Sequence, residues 1–122
     1  MTDNLPGATD LVELVGEWRT LPDVADSTGS DVQRVRQALR DGQLLALRID
    51  GVLKVPALLV GPEGPVKGLT GTLTLLRDAG YSDEEACRWL FSAEDTLPGT
   101  PAQALADNRG TEVKRRAQAL GF

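Results

Sequence analysis

The sequence contains no histidine and only one cysteine, Cys87, among its 122 residues. A lone cysteine cannot form an internal disulfide, and without histidine the usual zinc sites, serine triads and Cys–His nucleophiles are unavailable. Asp83, Glu84 and Glu85 are adjacent acids, but they stand in the first turn of a predicted helix, where the helix dipole favours negative charge. The sequence therefore predicts no cofactor, no metal site and no catalytic centre, and an enzyme is the least favoured class.

Aromatic residues are scarce at 4%, whereas hydrophobic residues reach 41% and charged residues 25%. These proportions predict a folded protein with an aliphatic core, in which Cys87 is a small buried thiol. No apolar run approaches the length of a membrane span, and the N-terminus lacks the positive flank and apolar segment of a secretion signal. We therefore expect a cytoplasmic protein without a membrane partner, associated with the nucleoid if it binds DNA.

The net charge of −5 is distributed unevenly along the chain. Residues 1–29 carry one basic and six acidic side chains, which sum to −5. Residues 30–54 carry five basic and three acidic side chains (+2), and the remainder carries seven basic and nine acidic (−2). A nucleic-acid contact would therefore use residues 30–54, and a modest positive patch in an acidic protein predicts binding that salt weakens easily.

The clearest pattern in the chain is a short helix, a turn, a second helix and a hairpin. Residues 21–28 predict the first helix, Gly29 the turn, and residues 30–41 a second helix that ends at Gly42. Short apolar runs on either side of Asp50-Gly51 predict a β-hairpin, because Asp-Gly favours the type I′ turn. This order is typical of a winged helix-turn-helix, whose second helix enters a DNA major groove and whose hairpin is the wing.

The second helix has a core stripe of Val32, Val35 and Leu39, and Ser30 is its predicted N-cap. Arginine can pair with guanine, glutamine with adenine, and any basic side chain can hold a phosphate. The hairpin adds two basic residues that could contact the DNA backbone or the minor groove. The predicted contacts to double-stranded DNA are Ser30, Gln33, Arg34, Arg36, Gln37, Arg40, Arg48 and Lys54. A solvated polar face is the alternative interpretation, but the order of the elements favours DNA binding.

The domain prediction divides the chain into three parts. Residues 1–9 are expected to be a flexible tail, residues 10–60 the winged helix-turn-helix, and residues 66–122 a helical C-terminal domain. Thr2 and Thr9 stand beside acids in the tail, where phosphorylation is an alternative to ordinary tail threonines, the favoured interpretation. The predicted fold is thus mainly α, with a small β-hairpin wing.

Local signals also place the flanking elements. Asp10 could cap a first helix that extends to Trp18, and residues 61–65, rich in Pro and Gly, mark the boundary between the two domains. Four helices are predicted beyond it, over residues 71–79, from Ser82, from Thr100 and over residues 111–120. Ser82 and Thr100 are expected N-caps.

Two clusters in the C-terminal part complete the prediction. Trp89, Leu90 and Phe91 are expected to anchor its helices, and Val113, Ala117 and Leu120 to form the apolar stripe of the last helix. The basic run at residues 114–116 is expected to be solvated near the end of that helix, where positive charge complements the dipole. A supplementary phosphate contact is the alternative for this run.

Four segments resemble a small family of actinobacterial winged helix-turn-helix DNA-binding proteins with a characteristic helical C-terminal domain. They are Val35-Arg-Gln-Ala-Leu-Arg-Asp-Gly-Gln-Leu44, Leu69-Thr-Gly-Thr-Leu-Thr-Leu-Leu-Arg-Asp-Ala-Gly-Tyr81 with Arg88-Trp-Leu-Phe91, and Arg115-Arg-Ala-Gln-Ala119. The resemblance implies DNA binding through the second helix and the wing, and a transcriptional regulator is the leading interpretation.

A shorter resemblance supports an alternative. Residues 89–105 are similar to the C-terminal domain of certain antitoxins, in which a Trp-Leu, a Gly-x-Pro and a following helix recur. It implies an antitoxin-like or adaptor protein that binds a protein partner, or a second copy, through the C-terminal helices.

Overall fold

A computed structural model describes residues 6–93 and 99–120 of the chain. None of the helices within these residues is both long and apolar enough to cross a membrane. In chain order the elements are α1 Pro6–Val15, β1 Trp18–Thr20, α2 Leu21–Thr28, α3 Val32–Arg40, β2 Leu47–Ile49, β3 Val52–Pro56, the 3-10 helix Ala57–Leu59, β4 Val60–Gly61, β5 Gly64–Pro65, α4 Leu69–Asp78, α5 Asp83–Leu90, α6 Pro101–Ala106 and α7 Gly110–Ala119.

The helix-turn-helix consists of α2 and α3, and local hydrogen bonds fix both ends of α2. The Thr20 hydroxyl accepts the N–H of Asp23, which caps α2. Gly29 ends α2 in the left-handed conformation, and the N–H of Ser30 donates to the carbonyl of Ala25. The prediction that Ser30 caps α3 is wrong, because its backbone closes α2. Asp31 is the cap of α3.

The wing consists of β2, the turn at Asp50 and Gly51, and β3. Asp50 and Gly51 both have positive φ, at 51° and 81°, as a type I′ turn requires, so the predicted hairpin is confirmed. β3 is the central strand of a three-stranded antiparallel sheet in the order β1-β3-β2. The sequence does not predict strand β1, since Trp18 also fits the apolar face of the first helix.

The start of the chain differs from the prediction in two ways. Helix α1 begins at Pro6, before the predicted cap Asp10, so Thr9 lies in this helix, whereas Thr2 lies outside the described residues. The helix stops at Val15, and the indole N–H of Trp18 donates to the carbonyl of Val12 at 3.2 Å. This contact folds β1 back along the end of α1.

The predicted boundary at residues 61–65 is an ordered hairpin. β4 pairs with β5 in the register Val60 with Pro65 and Gly61 with Gly64. The N–H of Val66 then donates to the carbonyl of Leu59 at 3.0 Å, which ties the start of the helical part to the end of the 3-10 helix. Residues 6–60 are called the N-terminal half here, and residues 66–93 and 99–120 the C-terminal half.

Side-chain caps begin two helices of the C-terminal half, α5 and α6, as predicted. The Ser82 hydroxyl accepts the N–H of Glu85, and the Glu85 carboxylate accepts the N–H of Ser82 at 2.9 Å, which forms a complete capping box. The Thr100 hydroxyl caps α6 by accepting the N–H of Gln103. The hydrogen bond from the Ser82 backbone lowers the pKa of Glu85 below its ordinary value.

The lowered pKa of Glu85 predicts an acid-sensitive contribution to stability. A carboxylate with a depressed pKa stabilises the fold above its unfolded pKa, and this contribution is lost as the pH falls through the folded value. The advantage of the wild type over Glu85→Gln should therefore be largest at neutral pH and shrink below a pH of about 4.3. Thermal unfolding at pH 7 and pH 3 measures the difference. A gap that widens at pH 3 would contradict the assignment.

The two halves share a hydrophobic core in the described residues. Its buried side chains come from both halves, and they include Val55, Leu59, Leu73, Leu105 and Val113. α6 packs against the 3-10 helix, and α5 contacts α1. The C-terminal half therefore packs directly against the N-terminal half through a common core.

Four side chains of the C-terminal half test the core prediction. Cys87 is buried as predicted, and burial raises the pKa of its thiol to about 12, because desolvation penalises the thiolate. Phe91 is also buried, whereas Trp89 is only partly buried and packs against the core. Leu120 is 36% exposed, so its predicted place in the apolar stripe of α7 is wrong. The last turn extends beyond the surface that Val113 and Ala117 cover.

Candidate nucleic-acid interface

Helix α3, called here the reading helix, presents a polar face to solvent. Val35 is buried, and Val32 and Leu39, about one turn before and one turn after it, are partly buried against the core. With about 100° between successive residues, Gln33 and Gln37 lie near the centre of the opposite face. Both glutamines are exposed, as are the flanking arginines. These exposed arginines are Arg34, Arg36 and Arg40.

Hydrogen bonds order the C-terminal end of this face. The Gln37 amide nitrogen donates to the Asp41 carboxylate at 2.8 Å, and Arg40 donates to the Gln37 amide oxygen, also at 2.8 Å. Both ends of the Gln37 amide are thus occupied in the free protein. Because the residues are exposed, water or base edges could replace these bonds at modest cost.

The first turn of the reading helix combines a basic and an acidic side chain. The Asp31 carboxylate caps the helix by accepting the N–H of Arg34 at 2.9 Å, and it lies 3.9 Å from the Arg34 guanidinium. Arg34 and Ser30 border a groove of about 160 Å³ between the helix-turn-helix and the β4–β5 hairpin, where Glu63 also lies. Arg34 therefore lies to one side of the central glutamines.

The basic residues of the wing lie on opposite faces of the sheet. Arg48 pairs with Leu53 and Lys54 pairs with Leu47, and side chains of successive residues in a strand alternate between faces. Arg48 is exposed near the turn and donates to the carbonyl of Gly51 at 3.1 Å. Lys54 is partly buried in the central strand.

The surroundings of Leu47 indicate which way the Lys54 face points. Leu47, Arg48 and Ile49 border a cavity of about 160 Å³ together with Leu11 of α1 and Glu84 of α5. Lys54 shares its face of the sheet with Leu47 and with Trp18 of β1, whose indole N–H bonds to Val12 of α1, so this face points towards α1. The structure therefore does not bring the two wing residues together on one surface, and Arg48 is the more accessible of the two.

A residue outside the predicted site contacts the end of the reading helix. Arg77 of α4 donates from Nη1 to the carbonyl of Gly42 at 3.2 Å and from Nη2 to the Asp83 carboxylate at 3.3 Å. The sequence does not reveal this contact, because Arg77 stands 35 residues after Gly42 and no local signal links them.

The same arrangement of elements occurs in a known protein. The DNA-binding protein Rv2175c of Mycobacterium tuberculosis is 36% identical over 132 residues, which covers 98% of this chain and 90% of that protein. The chain belongs to the Rv2175c family. Family models match residues 4–60 as "DNA-binding protein Rv2175c, wHTH domain" and residues 66–121 as the "Rv2175c C-terminal domain of unknown function". The predicted family is thereby confirmed.

A solved structure has a similar fold. The NMR structure of Rv2175c superposes with a TM-score of 0.73 at 36% identity, covering 87% of this chain and 82% of that one. The predicted fold class, a winged helix-turn-helix followed by a helical C-terminal part, is confirmed.

Proposed function

We propose that this protein is a transcriptional regulator that binds duplex DNA through the reading helix and the wing. The observation that carries the proposal is the exposed pair Gln33 and Gln37 at the centre of the reading helix, with arginines on both sides. Membership of a family named for a DNA-binding protein supports DNA as the ligand. A protein partner or a second copy at the C-terminal helices stays a prediction, as does the antitoxin-like alternative.

The geometry supports separate roles for the side chains. In a major groove the central glutamines would face base edges, and glutamine can make two hydrogen bonds to adenine. Arg34 and Arg36, at the sides of the helix, would reach base edges or phosphates, and Ser30 and Arg40 would face the backbone at its two ends. The nearby acids Asp31 and Asp41 reduce the positive potential, so sequence-independent affinity should be weak.

A genomic selection of bound fragments tests the proposal as a whole. Purified full-length protein is mixed with sheared duplex DNA at low salt, and the bound fragments are sequenced; the selection is repeated at higher salt. Enrichment of one motif that survives the higher salt is expected, because base contacts depend on salt less than phosphate contacts do. Equal recovery of all fragments, or no recovery at low salt, would contradict sequence-specific regulation.

The wing provides a matched pair of variants. Arg48→Ala and Lys54→Ala each remove one positive charge, but the two side chains lie on opposite faces. We expect Arg48→Ala to weaken binding to all duplexes and to lower the slope of log affinity against log salt by about one. Lys54→Ala should change that slope less, because Lys54 is partly buried and lies on the face of the sheet that contacts α1. A larger effect from Lys54→Ala would reverse the assigned orientation of the wing.

A further inference from the structure

The guanidinium of Arg77 joins three elements of the protein. It is anchored on α4, bonds the carbonyl of Gly42 just beyond the reading helix, and pairs with Asp83 at the start of α5. The Arg77 side chain is 32% exposed, which means that two thirds of it is enclosed by protein. It is a contact between the C-terminal half and the end of the reading helix.

Gly42 fits this contact closely. Its φ is +75°, a left-handed conformation that ends the helix, and a β-carbon there would lie 2.9 Å from Nη1 of Arg77. The backbone hydrogen bonds that end the helix lie beside this contact. The N–H groups of Asp41, Gly42 and Gln43 donate to carbonyls of the last turns of the reading helix. A cation at a helix C-terminus also interacts favourably with the helix dipole. Arg77 therefore stabilises the end of the reading helix by both position and charge.

We infer that Arg77 is a positioning residue through which the C-terminal half fixes the reading helix for DNA binding without touching DNA. The inference rests on the proposed function for its DNA readout. It gives the C-terminal half a role in recognition: α4 and α5 hold the reading helix by its last turn, next to Gln37, Arg40 and Asp41. A side chain that reads a base edge depends on such support, because small displacements break paired hydrogen bonds.

The first experiment compares Arg77→Ala with Arg109→Ala. Arg109 is a matched control, since its side chain is also 32% exposed and pairs with Asp107 at 3.4 Å, entirely within the C-terminal half. Both variants lose one charge and one ion pair. We expect Arg77→Ala to weaken binding to the selected motif by roughly two- to thirtyfold, whereas Arg109→Ala should not. Arg77→Lys should remain weak, since lysine keeps the charge but not the two-pronged geometry.

The dependence on salt separates positioning from direct contact. A residue that touches phosphate lowers the slope of log affinity against log salt by about one when it is removed, whereas a positioning residue leaves the slope unchanged. We expect Arg77→Ala to keep the wild-type slope. A slope reduced by about one would show that Arg77 contacts DNA itself, and would overturn the inference.

Asp83, the acid that pairs with Arg77, gives a test in which the effect of charge and the effect of positioning change DNA affinity in opposite directions. Asp83→Asn and Glu84→Gln each remove one negative charge from the first turn of α5, and electrostatics alone predicts tighter DNA binding for both. Asp83 holds Arg77, so loss of positioning predicts weaker binding for Asp83→Asn. Tighter binding by both variants would contradict the inference.

Hydrogen exchange measures the positioning in the free protein. The amides of Asp41, Gly42 and Gln43 should exchange faster in Arg77→Ala than in Arg109→Ala, because the end of the reading helix opens more often. Equal exchange in the two variants would overturn the inference, even if the protein binds DNA. If these amides exchange faster in Arg77→Ala than in Arg109→Ala but the wild type does not bind DNA, the positioning role of Arg77 is supported and the proposed function is rejected.

Discussion

Leu59→Ala should lower the free energy of unfolding by about 2–5 kcal/mol, and both halves of the variant should still unfold in a single transition. Leu59 is 0% exposed, and its 3-10 helix packs against α6. Truncating it leaves a cavity between the helix-turn-helix and the helical part. Because both halves contribute to the same core, the loss cannot be confined to either one.

The two tryptophans allow each half to be followed separately. Trp18 lies in β1 and Trp89 in α5, so Trp89→Phe leaves a reporter in the N-terminal half and Trp18→Phe one in the C-terminal half. Urea unfolding followed by fluorescence should give coincident transitions for the two variants, shifted together by Leu59→Ala. Leu14, which is 41% exposed on α1, provides the control, and Leu14→Ala should cost much less. Two separate transitions would show that the halves fold independently.

Gln37→Ala should weaken binding to the preferred DNA site by about 1–3 kcal/mol and relax preference at one base position. Gln37 lies at the centre of the exposed face of the reading helix, with its amide already ordered by Arg40 and Asp41. Arg34→Ala should have a similar effect on the preferred site if Arg34 also reads a base. On a scrambled duplex, both losses should be much smaller.

A matched control is present in α6. Gln103 donates to the Asp107 carboxylate at 3.0 Å, the same pairing over four residues that Gln37 makes with Asp41. Gln103→Ala therefore removes an equivalent helix-surface bond outside the proposed interface, and its DNA affinity should stay at the wild-type value. If Gln37→Ala or Arg34→Ala weakens preferred and scrambled duplexes equally, that side chain does not read bases.

The helix-turn-helix and the wing can be predicted because their signals are local. Pro22 and Thr20 mark the start of α2, Gly29 its end, and the pair Asp50-Gly51 the turn of the wing. Each of these residues acts on backbone groups within a few positions of itself. The predicted N-cap of α3 is misplaced by one residue, because Ser30 and Asp31 are both good caps and only the hydrogen bonds distinguish them.

Non-local pairing accounts for most of what the sequence does not reveal. Strand β1 exists because it pairs with β3, and its three residues carry no strand pattern long enough to recognise. The faces of Arg48 and Lys54 follow from the register of the hairpin. The exposed position of Leu120 depends on where the neighbouring helices stop covering α7, which periodicity cannot reveal.

The sequence by itself determined the order of the helices and the wing, the helix caps Ser82 and Thr100, the aliphatic core and the polar composition of the reading helix. These properties depend on backbone preferences and hydrophobic period, which act over one or two turns. Only the tertiary structure joined the halves into a shared core and placed Arg77 against Gly42, 35 residues away. Such contacts arise when packed elements bring distant side chains together, and no spacing along the chain encodes that geometry.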